Sequence, residues 1–185
     1  MSNEKHIPTE TLETGLEAVR AAPKSAGLLH SIVRRPGVDL REVISEARLD
    51  EVSGLVGDTW RQRGSSRSAD GRAHPDMQVT VMNSRAIALI AGSRERWPLA
   101  GDQLFLDLDL SVTNLPPGSR LRVGEAFIEI TTQPHTGCVK FKVRFGADAL
   151  ALVNSPHGRE LRLRGANARI VSNGVIREGD EVLKL

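Results

Sequence analysis

The stretch Leu104-Phe105-Leu106-Asp107-Leu108-Asp109-Leu110 decides the fold class, because its leucines recur at every second residue. A period of two sends alternate side chains to opposite faces of a strand. On that reading the leucines face a core, and Asp107 and Asp109 sit on the solvated side. Gly101-Asp102 stands just before the run, where glycine supplies the positive φ of a turn. The same pair recurs at Gly57-Asp58 and at Gly179-Asp180, the latter again leading into an apolar run.

Working outward, most apolar runs are strand-sized. Leu28 to Val33 is stopped by Arg34-Arg35-Pro36, and Phe127 to Ile130 reads as another strand. Val79 to Met82 and Ile87 to Ala91 are read as two further strand-like runs, split by Asn83-Ser84-Arg85. Helix signals are few. Leu12, Leu16 and Val19 form a narrow apolar stripe ending at Pro23, and Ala147 to Val153 is the clearest internal helix. Arg63 to Pro75, rich in Gly, Ser and Arg, reads as a surface loop. The expected fold is mainly β (α+β), a closed or partly open barrel with a few short helices. Residues 1–24 would form a helical N-terminal extension and residues 25–185 the barrel domain.

Composition removes several functions. At 185 residues, 39% hydrophobic and 26% charged, the chain suits one globular domain with a modest extension. Aromatics at 3% are too few for a nucleic-acid stacking platform, and a net charge of +2 is too balanced for a polyanion binder. No nucleic-acid partner is expected. The first ten residues hold no basic segment followed by an apolar run, so no secretory signal is expected. No apolar run approaches the roughly 20 residues of a membrane span. A reducing cytoplasmic setting follows as the expectation. A single cysteine excludes an intramolecular disulfide, a CxxC pair and any multi-Cys zinc site.

That cysteine, Cys138, follows the turn Thr131-Thr132-Gln133-Pro134-His135-Thr136-Gly137. Two continuations are open. An extended segment would place Cys138, Lys140, Lys142 and Arg144 on one face; a helix would place Cys138 in its first turn. Both favour the thiolate. By composition alone a lone cysteine reads as a small buried hydrophobe, but the turn and its cations argue for a reactive thiol. His135 is a candidate base, or else a surface turn histidine. A Cys–His protease would lack a third orienting residue at any recognisable spacing. Asp102, Asp107 and Asp109 fit no calcium-loop spacing. Arg159, Arg162, Arg164 and Arg169 form a basic run, either a solvated strand edge or a phosphate clamp.

Residues 25–185 resemble the MOSC domain, named for the C-terminal part of molybdenum-cofactor sulfurases. The family's cysteine closes a Pro-Arg-x-Pro-Cys turn with a lysine two residues later. Pro134-His135-Thr136-Gly137-Cys138-Val139-Lys140 keeps the Pro, Cys and Lys at that spacing. Arg164-Gly165-Ala166-Asn167 and Gly174 to Asp180 are similar to the family's Arg-Gly segment and closing Gly-Asp turn. Ala100-Gly101-Asp102-Gln103-Leu104 is similar to its Gly-Glu-Asn element. Four positions depart from the pattern: His135 for Arg, Gly137 for Pro, Asp102 for Glu and Gln103 for Asn.

The resemblance implies a barrel of the pyruvate-kinase β-barrel type and a molybdenum cofactor. Cys138 would carry sulfur for that cofactor as a persulfide, with His135 assisting. Pyridoxal phosphate would enter only through a partner cysteine desulfurase. Alternatively, Cys138 would be the molybdenum ligand of a reductase of N-hydroxylated compounds, served by an electron-donor protein. The cofactor would be held by Lys140, Arg164, Arg162 and Arg169, with Asp102 and Gln103 as further contacts. A third reading is a non-catalytic ligand-binding barrel that kept the fold alone.

Overall fold

The computed structural model describes residues 6–185. Residues 1–5, part of the expected N-terminal extension, lie outside the described residues. Seven strands close a mixed barrel: β1 (Ala26–Arg34), β5 (Val79–Asn83), β6 (Leu104–Asp107), β7 (Arg120–Val123), β8 (Ala126–Ile130), β9 (Ala166–Ser172) and β11 (Glu181–Lys184). The neighbours run β11-β7-β8-β9-β5-β6-β1, and β1 pairs with β11 to shut the ring. Closure leaves these strands no free edge. All pairs are antiparallel except β5 with β6. β2 (Glu42–Ile44) extends β1 beyond the ring. A second small sheet joins β3 (Glu46–Asp50), β4 (Gly54–Leu55) and β10 (Gly174–Arg177).

The alternation expected of the leucine run holds, with a different outer environment. Leu104, Leu106, Leu108 and Leu110 all enter the barrel core with Leu29, Val79, Val81 and Ile128. Phe105 points the other way but is equally buried, packed with Met82 and Val33 in a second apolar layer. The β1–β6–β5 wall is therefore covered on both faces, which is why Val79 to Met82 reads as a continuous apolar run. Asp107 is not simply solvated: it accepts a bidentate pair from Arg85 at 2.7 and 3.2 Å. The strand itself stops at Asp107, and the last two leucines reach the core from irregular backbone.

Helices supply the outer layer. α1 (Thr9–Thr14) and α2 (Leu16–Arg20) bury Leu12, Leu16 and Val19 there. They are joined by α4 (Ser84–Ala91), the 3₁₀ turn Arg94–Ala100, α5 (Val139–Phe145) and α6 (Ala147–Asn154). α3 (Trp60–Arg63) and α7 (Pro156–Glu160) are single turns at the rim. Ile87 to Ala91 is helix and not strand. Asn83 caps α4 by accepting from Arg85 N at 2.8 Å and Ala86 N at 3.2 Å. Ala86, Ile87, Ile90 and Ala91 then share one buried helical face, a spacing too short to separate from a strand by pattern alone. No helix among the described residues is long and apolar enough to cross a membrane.

Candidate functional site

Cys138 lies on the connection between β8 and α5, and that connection is held at several points. Thr131 N donates to Asn167 O at 3.0 Å, and Thr131 Oγ1 to Asp76 O at 2.8 Å. The Asn167 amide donates to Gln133 O and Pro134 O at 3.1 and 3.3 Å. Gly137 exchanges two hydrogen bonds with the Asn154 side chain, at 2.9 and 3.1 Å. A Cβ on Gly137 would lie 2.7 Å from Leu150 and 2.9 Å from Val153. Proline at this position would also remove the N–H that Asn154 accepts. The glycine thus belongs to this packing.

Cys138 itself is the N-cap of α5, with extended backbone and an exposed side chain. The helical continuation is the one realised, so Cys138 and Lys140 do not alternate on a strand. Neither is the thiol a buried hydrophobe.

Behind this loop sits a buried charge cluster. Gly101, at φ +87°, makes the left-handed turn that delivers Asp102 into the protein. Asp102 is fully buried. Its Oδ1 meets His135 Nε2 at 2.8 Å, its Oδ2 accepts from Arg164 Nη1, and Arg164 Nη2 donates to Ala100 O at 2.8 Å. The Arg164 guanidinium also stacks over Phe141, 5.1 Å from the ring centre. Burial alone would raise the Asp102 pKa, but Arg164 and His135 outweigh it and hold the carboxyl below its usual range. Burial and the Arg164 cation push the His135 pKa down, against the pull of Asp102. The imidazole is therefore neutral at pH 7; Nε2–H donates to Asp102 and Nδ1 is left as an acceptor.

Two of the departures from the family pattern, Asp102 and His135, thus contact each other. Gln103 does not face the loop. It is fully buried, and its Oε1 accepts from Thr80 N at 2.8 Å and Thr80 Oγ1 at 2.6 Å.

The expected cofactor-binding cations do not converge on one point. Arg169 lies on the barrel exterior with Glu129 at 2.6 Å. Arg162 donates to Leu110 O and Leu115 O at 3.2 and 2.6 Å. Arg164 pairs with Asp102, while Lys140 pairs with Asp39 at 3.1 Å on an exposed surface.

Lys140 lines a cleft of about 340 Å³ with Arg35, Arg41 and Arg63. Arg35 is neutralised by a buried bidentate pair with Asp58, at 2.8 and 2.9 Å. Arg41 and Arg63 form no ion pair among the described residues. Burial and neighbouring arginines lower the pKa of both, and Arg41 Nε is buried without a partner. Asp39 is the one carboxylate of the lining, so the cleft carries an excess of partly desolvated positive charge, which an oxyanion would relieve. In the sequence these residues carry no motif. Arg35 appears only as a strand terminator, Arg63 only as the start of a loop, and their convergence is a product of chain closure.

A smaller cavity of about 120 Å³ adjoins the cleft through Arg35 and Arg63 and reaches His135 and Asn167. Among the described residues no cluster of His, Cys, Asp and Glu could hold a metal ion by itself.

The family model of the MOSC domain matches residues 68–183, well over half of the chain. The chain belongs to the MOSC domain family. This family is associated with molybdenum-cofactor proteins. The solved structure of YuaD from Bacillus subtilis resembles this MOSC protein at TM-score 0.62 and 14% identity, over 85% of this chain and 94% of that one. YiiM from Escherichia coli resembles it at TM-score 0.54 and 19% identity, over 85% and 69%. YiiM from Geobacillus stearothermophilus does so at TM-score 0.51 and 13% identity, over 89% and 74%. These likenesses show a shared fold. No curated protein matches the sequence significantly.

Proposed function

We propose that this MOSC domain binds a molybdenum cofactor, with the cofactor's phosphate in the cationic cleft, and that Cys138 handles sulfur for it. The observation that carries the reading is the unneutralised pair Arg41 and Arg63 beside Lys140, two residues beyond an exposed thiol. The donor set fits the group: planar guanidiniums suit phosphate oxygens, and a thiolate is a soft ligand for molybdenum. When bound, the cofactor supplies a thiophilic metal. The chain's own residues bind the anion, present the thiol at the start of α5 and hold a neutral imidazole in the loop.

The cleft assignment is tested by pterin content after expression in cells that make the cofactor. The double variant Arg41→Gln/Arg63→Gln is expected to retain about tenfold less pterin than wild type, since two charge-assisted contacts are lost. Its unfolding midpoint should stay close to wild type. Equal pterin in both proteins would remove the cleft from the account.

Sulfur handling draws on the exposure of Cys138, which leaves the sulfur open to a partner protein. A pyridoxal-phosphate-dependent cysteine desulfurase is the natural donor: its persulfide would pass one sulfur to the Cys138 thiolate and leave as a thiolate. Incubation with such an enzyme and cysteine should add about 32 Da at Cys138 by mass spectrometry. An adduct that persists in Cys138→Ala, or no adduct, would contradict the carrier role. A second reading, reduction of N-hydroxylated compounds with Cys138 as metal ligand and a separate electron donor, draws on His135, whose fixed neutral ring is suited to proton transfer.

A further inference from the structure

On the other side of His135 lies a cavity of about 190 Å³ that the proposed cofactor site does not use. The 131–136 loop forms one wall and residues 158–166 the other. Its lining contains Arg159, Arg162 and Arg164, the threonines Thr131, Thr132 and Thr136, and no carboxylate. Arg164 pairs with Asp102, which lies outside the lining, and Glu160 opposes the charge of Arg162 without a direct ion pair among the described residues. Arg159 forms no ion pair among the described residues. Arg162 is set against the carbonyls of Leu110 and Leu115 by a backbone φ of +46°, and Gly165 N donates to Arg162 O at 2.7 Å. A left-handed non-glycine residue costs about 1 kcal/mol or more, and such strain concentrates at functional positions.

One further atom points to a ligand. Arg164 is only 7% exposed, and its Nε–H is buried with no partner although both Nη atoms are engaged. A buried donor left unpaired is costly. Among the described residues the non-glycine residues with positive φ are Asp39 and Arg162; Arg162 lines this cavity and Asp39 lines the cleft.

We propose that this cavity is a second anion site, distinct from the cationic cleft, which takes a small tetrahedral oxyanion such as a phosphate group. Free phosphate and a phosphate monoester share the chemistry, and the site does not depend on the cofactor reading. Guanidinium side chains from Arg159, Arg162 and Arg164 in one lining favour a tetrahedral dianion over a planar carboxylate, because more of its oxygens can be met at once.

The test is a titration of the ¹⁵N-labelled chain with inorganic phosphate, with glycerol phosphate and acetate as parallel arms and ionic strength held constant with sodium chloride. Saturable amide shifts in residues 131–136 and 158–166 are expected with both phosphates and weaker ones with acetate. A response to inorganic phosphate alone would mark free phosphate as the ligand, and a tighter response to glycerol phosphate a monoester. Arg159→Gln, an exposed position, should weaken the binding about tenfold. Arg63→Gln should leave these shifts in place while removing any at residues 37–41 and 59–63. Shifts that fail to saturate, that chloride reproduces, that ignore Arg159→Gln or that fall only in the cleft would overturn the second site.

Discussion

Asp102→Ala is expected to lower the free energy of unfolding by about 3–5 kcal/mol, the usual cost of removing one partner from a buried ion pair. Arg164 would be left buried among Phe141, Ala100 and the loop with its charge unmatched. His135 would lose the acceptor that fixes its ring. Urea unfolding at pH 7 checks the value, and a loss below about 1 kcal/mol would mean that water enters the cluster and screens it. The charge makes the cost: Asp102→Leu combined with Arg164→Leu should recover much of the loss, because replacing a whole buried pair by apolar groups is often near neutral.

The same cluster sets a direction for pH. Asp102 is held below its ordinary pKa, so its contribution is complete above the unfolded value near 4 and is lost as pH falls through the folded one. His135 is also held low, so below about pH 6.5 the unfolded chain takes up a proton that the folded chain refuses. Both act in one sense. Stability should fall as pH drops from about 6.5, and more steeply below about 4. In Asp102→Ala the lower part of that limb should flatten, since that carboxylate no longer titrates.

The fold was legible where one strand face meets one environment. The leucine run and the Gly-Asp turns place β6 and β11 because period two and a positive-φ turn are local properties. Ile87 to Ala91 was not legible. A short apolar run covered on both sides carries no periodic signal, and what makes it a helix is the Asn83 side chain folding onto Arg85 N and Ala86 N. The sequence leaves the form of the segment after Cys138 open for a similar reason. Its burial of Phe141 and Phe145 against the outer layer is a tertiary fact.

The site divides the same way. Cys138 and its turn are contiguous in sequence and could be found as a motif. The Asp102–His135 contact joins residues 33 positions apart, and what reads as two separate departures from a family pattern is one interaction in space. The cleft draws on the end of β1, the 37–41 loop, α3 and α5. No spacing rule gathers three arginines and a lysine from four places. Conversely, Arg169 looked like part of a clamp because it is near Arg164 in sequence, yet strand alternation turns it to the outer face and onto Glu129.

We propose above all that this MOSC domain binds a molybdenum cofactor beside Cys138, whose soft thiolate would contact the metal in the sulfur-handling reading as in the reductase one. Cys138→Ser exchanges a soft thiolate for a hard, weakly acidic hydroxyl in an exposed position, so folding should be unaffected while metal affinity collapses. The cleft cations remain in that variant, so pterin should be lost less than metal. The most direct measurement is the molybdenum and pterin content of wild type and Cys138→Ser, purified in parallel from cells that make the cofactor. Wild type is expected to carry both, close to one per chain, and the variant to carry at least about tenfold less molybdenum with part of its pterin retained. Wild-type protein lacking molybdenum and pterin, or equal molybdenum in the two proteins, would contradict the account.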